Sequence, residues 1–242
     1  MSTTEQLRVA PLTGADDLAT ASGLYRDVFG YTKPEATLNP RLLMAMAANG
    51  GSMVGAWDGD RLVAFGYGFT GHAGGETYFY SQAVVVADGL QGSGVGRRIK
   101  GEQRRLALSN GLHHMRWAYN PILSRNAHFN LSVLGAVGRW FVPDCYGDGE
   151  SRLVVDWDLD ADTPAPVPAP WASYSAAEWG RVDRGEGAAA VALPSERSRV
   201  TPEVVARMDD AFSGLFADGL VARSCVRQDA DTAVYVFTGS DA

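Results

Sequence analysis

The chain is poor in lysine, cysteine and long apolar runs, and each shortage closes off a class of function. Lys33 and Lys100 are its only lysines, so its positive charge is almost all arginine. The formal net charge is −7 and the isoelectric point is near 5.1. That excludes the broadly basic face by which a protein grips nucleic acid, although not a local basic patch. Cys145 and Cys225 are the only cysteines, too far apart in sequence for a metal knuckle or a redox pair. Both are expected to be buried apolar thiols, and no metal is expected. No apolar run reaches the ~18 residues that cross a bilayer. Met1 to Leu7 is polar, without the apolar core of a signal peptide. The expectation is a soluble protein of the reducing cytoplasm, with no membrane partner.

What is present suffices for a sizeable core. Hydrophobic residues make up 46% of 242 residues, enough for one large domain or one domain with a small appendix. Leu7 to Pro11 reads as a strand. A helix follows with Thr13 as its N-cap and Leu18, Ala21, Tyr25 and Val28 at helical spacing. Pro34 and Pro40 punctuate a loop, and Arg41 to Ala48 is a short helix stopped by Gly50 and Gly51. Ser52 to Trp57 and Arg61 to Phe69 form a hairpin about Asp58, Gly59 and Asp60, and Glu76 to Val86 is a third strand. Gly94 to Asn110 is a helix, Leu112 to Tyr119 a strand, Ser124 to Leu134 a helix and Arg152 to Leu159 a strand. Asp160 to Pro170, rich in Pro, Ala and Asp, reads as a linker. Beyond it lie a strand at Ala188 to Leu193, an amphipathic helix from Thr201 to Ala217, and a hairpin of Leu220 to Val226 with Thr232 to Phe237. This order predicts an α/β fold with a mixed sheet flanked by helices. It divides into a domain over 1–159, a linker over 160–172 and a small C-terminal α/β subdomain over 173–242.

The stretch Gln91, Gly92, Ser93, Gly94, Val95, Gly96, Arg97 carries the chemistry. Three glycines in five positions, between a strand and a helix, bare the backbone N–H groups that hold a phosphate. Familiar phosphate loops do not fit. There is no GxxxxGK run, Arg97 stands where a dinucleotide fold needs its third glycine, and Gln91 spoils a GxSxG elbow. Arg97, Arg98, Lys100, Arg104 and Arg105 crowd the helix, and its first turns are where cations oppose the macrodipole by ~0.3–1 kcal/mol each. A bound polyphosphate would reverse that sign; the alternative is a solvated basic face.

Gln91, Gly94 and Gly96 after the Val84–Val86 run resemble the acyl-coenzyme A signature of the GNAT superfamily of N-acetyltransferases, although Ala87 and Asp88 replace that family's common proline. The element order from Leu7 to Leu159 is similar to that family's. Trp117, Tyr119, Asn120, Pro121, Ser124, Arg125, Asn126, Ala127, Phe129, Asn130, Leu134, Gly135, Ala136, Tyr146, Gly147 and Asp148 further resemble a subgroup of its predicted members. The resemblance implies an acyl-CoA, such as acetyl-CoA, with its pyrophosphate on Gln91 through Arg97; Arg98, in the basic first turns, and Asn126 are further candidates for holding the cofactor. Its pantetheine arm would lie along Val84, Val85 and Val86. It implies direct attack of a small-molecule amine on the thioester.

The resemblance usually brings a Glu base on the fourth strand and a Tyr donor on the helix after the fifth. Here no carboxylate stands near Tyr78 to Tyr80, and Leu131 occupies the tyrosine position. Glu76 and Tyr146 are the available candidates; Tyr146 reads equally as a half-buried tyrosine. Tyr78, Tyr80 and Gln82, on one strand face, are candidate walls of an acceptor pocket or sheet packing. Asn126 and Asn130, four apart on one helix face, are candidates for ligand binding or for satisfying backbone groups. His113 and His114 point to opposite faces and do not chelate together. The missing Glu and Tyr leave a second reading, an acyl-CoA binder or an acyl-CoA lyase or decarboxylase using the same cradle. The C-terminal region is expected to cap the acceptor site or build a homodimer.

Overall fold

The computed structural model describes residues 7–33, 37–147, 149–162, 167 and 173–240. Pro34, Asp148 and most of the expected linker fall outside them. The chain forms two compact units, Met1–Trp117 and Ala118–Ala242.

In the first unit the order is β1 (Arg8–Pro11), α1 (Ala15–Phe29), α2 (Pro40–Ala48), β2 (Ser52–Asp58), β3 (Arg61–Ala73), β4 (Glu76–Val86), α3 (Val95–Ser109) and β5 (His114–Tyr119), the last ending beyond the boundary. Neighbouring strands β1, β2, β3 and β4 are antiparallel; β5 joins β4 in parallel. Helix α1 starts one residue later than expected. Gly14, not Thr13, is at its N-cap, with no side-chain cap, and Asp16 and Asp17 in the first turn complement the helix dipole instead. Helix α2 is capped by Asn39, whose Oδ1 accepts from the Arg41 N–H at 2.9 Å, with Pro40 at the first helical position. One face of the sheet packs Phe65, Tyr67 and Val85 against Leu18, Ala21 and Leu43 of α1 and α2. The other packs Val54, Ala56, Val63 and Ala64 against Val95 and Ile99 of α3. Each of the Val, Leu, Ile and Phe side chains among these contributes ~1.5–3 kcal/mol by leaving water.

The second unit holds a short α4 (Ser124–Ala127), β6 (Val137–Val142), β7 (Arg152–Asp158), β8 (Val182–Gly185), β9 (Ala188–Pro194), α5 (Pro202–Ala217), β10 (Leu220–Arg227) and β11 (Thr232–Gly239). Its strands lie in the order β7-β6-β10-β11-β9-β8. Helix α5 is built as its sequence predicts, with Thr201 as N-cap and Pro202 next. Its Phe212 meets Tyr235, Phe237 and Phe141 edge-on, with ring centroids 5.0, 5.2 and 5.5 Å apart.

Three elements differ from expectation here. Strand β6 is absent from the sequence reading, because Gly138 breaks the alternation that would reveal it. A Cβ at Gly138 would come within 2.9 Å of Ala222 Cβ, so glycine is what lets β10 approach β6. The expected helix from Ser124 to Leu134 is α-helical only to Ala127 and π-helical from His128 to Val133, with the Leu134 N–H donating to the Phe129 carbonyl at 3.0 Å. Strand β8 is also additional to the reading.

Cys225 is fully buried, as expected, and burial pushes its thiol well up; Cys145 is half-buried. A thiol-specific chromophoric reagent is therefore expected to label Cys145 alone in the native chain and Cys225 only after denaturation. Two thiols reacting together in native buffer would contradict this packing.

Candidate functional site

The site begins with a break in the alternation of β4. Ser81 lies on the α3 face, where its Oγ meets Gln103 and Lys100. Val84 and Val86 also pack with the α3 cluster, whereas Ala83 and Val85 pack with α1 and α2. Ser81 and Val84 share a face although they are three residues apart, which strict alternation forbids. The extra residue is Gln82: Ser81 pairs with Gly68, and the next pair is Ala83 with Tyr67. The expectation that Tyr78, Tyr80 and Gln82 share one face therefore fails at Gln82. Tyr78 lies under the Arg116 guanidinium at 4.3 Å and Tyr80 beside Phe69 at 5.5 Å, both half-buried, while Gln82 is exposed.

The bulge coincides with a parting of strands. β4 and β5 pair at Phe79–Met115 and Tyr80–Arg116. Beyond those pairs, Val84, Val85 and Val86 keep Gly66, Phe65 and Ala64 of β3 as partners and have no β5 partner among the described residues. A backbone edge is thus open, with donors and acceptors for an added extended chain.

That edge runs into the glycine turn. Leu90 N–H donates to the Ala87 carbonyl at 3.1 Å, and Ser93 N–H and Oγ donate to the Leu90 carbonyl at 3.2 and 2.6 Å. Gln91 Nε2 reaches Asp88 Oδ1 at 3.5 Å. Gly92 and Gly94 have φ of +79° and +93°, a region that favours glycine. Gly94 is the N-cap of α3 and its carbonyl accepts from the Arg97 and Arg98 N–H groups at 3.1 and 3.2 Å. The N–H groups of Val95 and Gly96 belong to the first turn, which has no intrahelical acceptors, and no side chain caps them. The turn from Gln91 to Gly94 is exposed. Bare N–H groups at the start of a helix have the geometry that an anion cradle requires.

No protein-family profile and no curated protein matches the chain. Solved structures do. An assigned GNAT-family acetyltransferase from Desulfovibrio desulfuricans aligns at 16% identity and a TM-score of 0.51, covering 63% of this chain and 99% of its own. The ribosomal-protein-S18-alanine N-acetyltransferase of Escherichia coli aligns at 12% identity and TM-score 0.52, covering 65% of this chain and 96% of its own. YncA of Salmonella typhimurium, an assigned acetyltransferase solved with its cofactor acetyl-CoA, gives 14% identity and TM-score 0.54, covering 65% and 96%. The chain has the GNAT acetyltransferase fold.

On this GNAT scaffold the basic residues of α3 do not form the single anion-facing patch expected. Arg97 is exposed at the cradle. Arg98 Nη2 instead donates to the Leu7 carbonyl at 2.7 Å, and Arg105 pairs with Glu102 at 2.6 Å. Lys100 is only 3% exposed. Its Nζ donates to Ser81 Oγ at 2.9 Å and stands 3.5 Å over the Trp117 ring and 3.9 Å from Met115 Sδ. Burial holds its ammonium well below the usual lysine range. Ser81 Oγ in turn donates to Gln103 Oε1 at 2.9 Å. The sequence reading missed this cluster. The signal was there: Lys100 and Gln103 fall on the buried stripe of α3 with Val95, Ile99 and Ala107.

A pH dependence follows. Below the ordinary lysine pKa of about 10.4 the unfolded chain carries a proton on Lys100 that the native state, with its lowered pKa, sheds first. The unfolded state thus binds more protons in that window, and wild-type stability is expected to rise with pH through it. Denaturation midpoints of wild type and Lys100→Met from pH 7 to 10 test this. The variant is expected to be the more stable at pH 7, with an advantage that shrinks towards pH 10. A constant difference would contradict a buried amine whose pKa is lowered by burial.

The two candidate catalytic residues have definite surroundings. Glu76 forms an ion pair with Arg116 and its side chain is 64% exposed. It stands six residues from the bulge, about 20 Å along an extended strand. Tyr146 follows β6 in the second unit, 59% exposed and so more open than the half-buried tyrosine expected, with the Arg152 guanidinium 5.2 Å from its ring. Asn126 is exposed while Asn130 is 5% exposed. The π-helical step starts between them, so the common face expected from α-helical spacing is not formed. Among the described residues no group of three or more His, Cys, Asp and Glu side chains stands close enough to hold a metal, and no helix is long and apolar enough to cross a membrane.

Proposed function

We propose that the chain is an acyl-CoA-dependent N-acyltransferase, using acetyl-CoA and acting on a small-molecule amine. The observation that carries this reading is the continuous path from the open edge of β4 to the cradle of α3. An acyl-CoA offers an extended, amide-bearing arm to the first and a pyrophosphate to the second. The fold agrees: YncA was solved with acetyl-CoA, and the NatC complex, 10% identical over 63% of this chain at TM-score 0.51, was solved with CoA and a Gag peptide.

When bound, acyl-CoA supplies an activated acyl thioester. The residues of this chain bind, orient and polarise. The N–H groups of Val95 and Gly96, with Arg97 beside them, hold the pyrophosphate, and Gly92, Ser93 and Gly94 give it backbone access. Val84, Val85 and Val86 hold the pantetheine arm by backbone hydrogen bonds. The bulge at Gln82 leaves backbone unpaired where β4 leaves β5, a place to stabilise charge on the acyl oxygen. Tyr78 and Tyr80 line the approach of the acceptor. Residues 173–242 extend the acyl-CoA region over 1–159, whose strands β6 and β7 fold with them in the second unit.

One observation favours a second reading, a non-transferring acyl-CoA binder or lyase: the one carboxylate on β4, Glu76, is taken up by Arg116. Incubation with several acyl-CoA species and an amine panel, following free thiol and product mass, separates the readings. Amine-dependent thiol release with N-acylated product is the expected result. Carbon dioxide release without an amine would favour a lyase, and binding without either product a binder.

A further inference from the structure

Of the chain's two lysines, Lys33 is exposed and Lys100 is buried against the place where β4 and β5 part. The partners of Lys100 are a hydroxyl, a thioether and an aromatic face, and none neutralises an ammonium. The elements packed around it offer no counter-charge. Strand β4 presents Ser81, β5 presents Met115 and Trp117, and α3 itself presents Gln103. On β5, Arg116 is engaged with Glu76 and Tyr78; on α3, Arg98 and Arg105 are engaged with Leu7 and Glu102. No ionisable neighbour among the described residues contributes to the shift of Lys100, which burial alone produces.

A methionine would fill the same space without desolvating an amine. A buried amine with only a hydroxyl, a thioether and an aromatic face beside it, held there at a cost to stability, marks a candidate functional group. Its contact, Ser81, immediately precedes the bulge residue Gln82, where the proposed thioester site begins. The same strand has no carboxylate at this level.

We propose that Lys100 is a positioning residue for proton transfer, holding the Ser81 hydroxyl and taking up through it the proton that the acceptor amine loses. The proposal rests on the acyl-transfer reading. In that reaction a C–N bond forms and a C–S bond breaks, the acceptor nitrogen loses one proton and the leaving sulfur gains one. The Ser81 hydroxyl turns its hydrogen from Gln103 Oε1 to Lys100 Nζ and accepts the nitrogen's proton. Lys100 returns a proton by the same route to sulfur. No other acid or base is consumed.

Because there are only two lysines, the test can read Lys100 directly. In protein carrying 13C-labelled lysine, the Lys100 Cε signal is expected to titrate below the ordinary lysine range. Added coenzyme A is expected to move that titration. Lys100→Met is expected to fold and to bind coenzyme A as wild type does. Its amine-dependent thiol release should fall about a hundredfold or more, and its pH–rate profile should lose the limb that rises with Lys100 deprotonation. Lys100→Arg, permanently charged, should not rescue it. The proposal is overturned if Lys100 titrates in the ordinary lysine range, if coenzyme A leaves the Lys100 signal unmoved, or if Lys100→Met keeps the wild-type rate and pH profile. If wild type itself releases no thiol with any amine, the acyl-transfer reading fails and this proposal falls with it. If only the variant result goes the other way, this proposal alone falls.

Discussion

Valine in place of Gly94 is expected to leave a folded chain whose affinity for acetyl-CoA is lower by about thirtyfold or more, roughly 2 kcal/mol. Gly94 holds φ at +93° as the N-cap of α3, and a Cβ there would meet nothing within 4 Å. The penalty is therefore conformational rather than steric. A β-branched residue forced into this region costs ~1–3 kcal/mol. The chain relieves it by turning the peptide between Gly94 and Val95. That removes the free N–H groups from the cradle and leaves the packing of Val95 and Ile99 intact. Calorimetric titration of the variant, with circular dichroism to confirm its fold, reads both parts. Gly101→Ala in the same helix is the control. Gly101 has no positive φ and no atom within 4 Å of its would-be Cβ, so alanine should stabilise by about 0.5–1 kcal/mol and bind as wild type. Unchanged affinity in Gly94→Val would remove the cradle from the account.

Alanine at Gly68 is expected to destabilise the chain by about 2–4 kcal/mol, lowering the thermal midpoint by about 5–15 °C. Gly68 pairs with Ser81 on the edge of the bulge. A Cβ at Gly68 would stand 2.4 Å from the Tyr80 carbonyl oxygen and 2.5 Å from Phe79 Cζ. The first is backbone inside the sheet and the second is a fully buried ring, so neither gives way cheaply. The single methyl of alanine thus acts on the residues that set the parting of β4 from β5. Urea unfolding of wild type and variant measures it, and a loss under about 0.5 kcal/mol would contradict the close approach.

These two glycines show what was legible in the sequence. Gly94 was, because a glycine turn between a strand and a basic helix has a backbone meaning that needs no tertiary context. Gly68 was not. Its necessity comes from a strand partner thirteen positions away and from a bulge that only pairing reveals. The Ser81–Lys100–Gln103 cluster was hidden for a related reason. Arg97, Arg98 and Lys100 read together as one anion-facing group, with a solvated face as the alternative, and only the packing of α3 on the sheet separates the buried lysine from its neighbours. Close approach also conceals Gly66, whose would-be Cβ lies 2.6 Å from Ile99 Cγ2 and 3.1 Å from Gln103 Nε2. In the second unit, Gly138 masked β6, and the π-helical step after Ala127 undid the spacing that had put Asn126 and Asn130 on one face. The hairpins, α3 and α5 were legible because caps, turn residues and periodicity agreed locally.

An acyl-CoA lying along β4 with its pyrophosphate at the start of α3 is tested most directly by calorimetric titration of the wild-type chain with acetyl-CoA. Saturable binding at one site per chain, weakened by Gly94→Val, is the expected result; no binding heat at about millimolar ligand, a Kd weaker than roughly 4 kcal/mol of affinity, would contradict it.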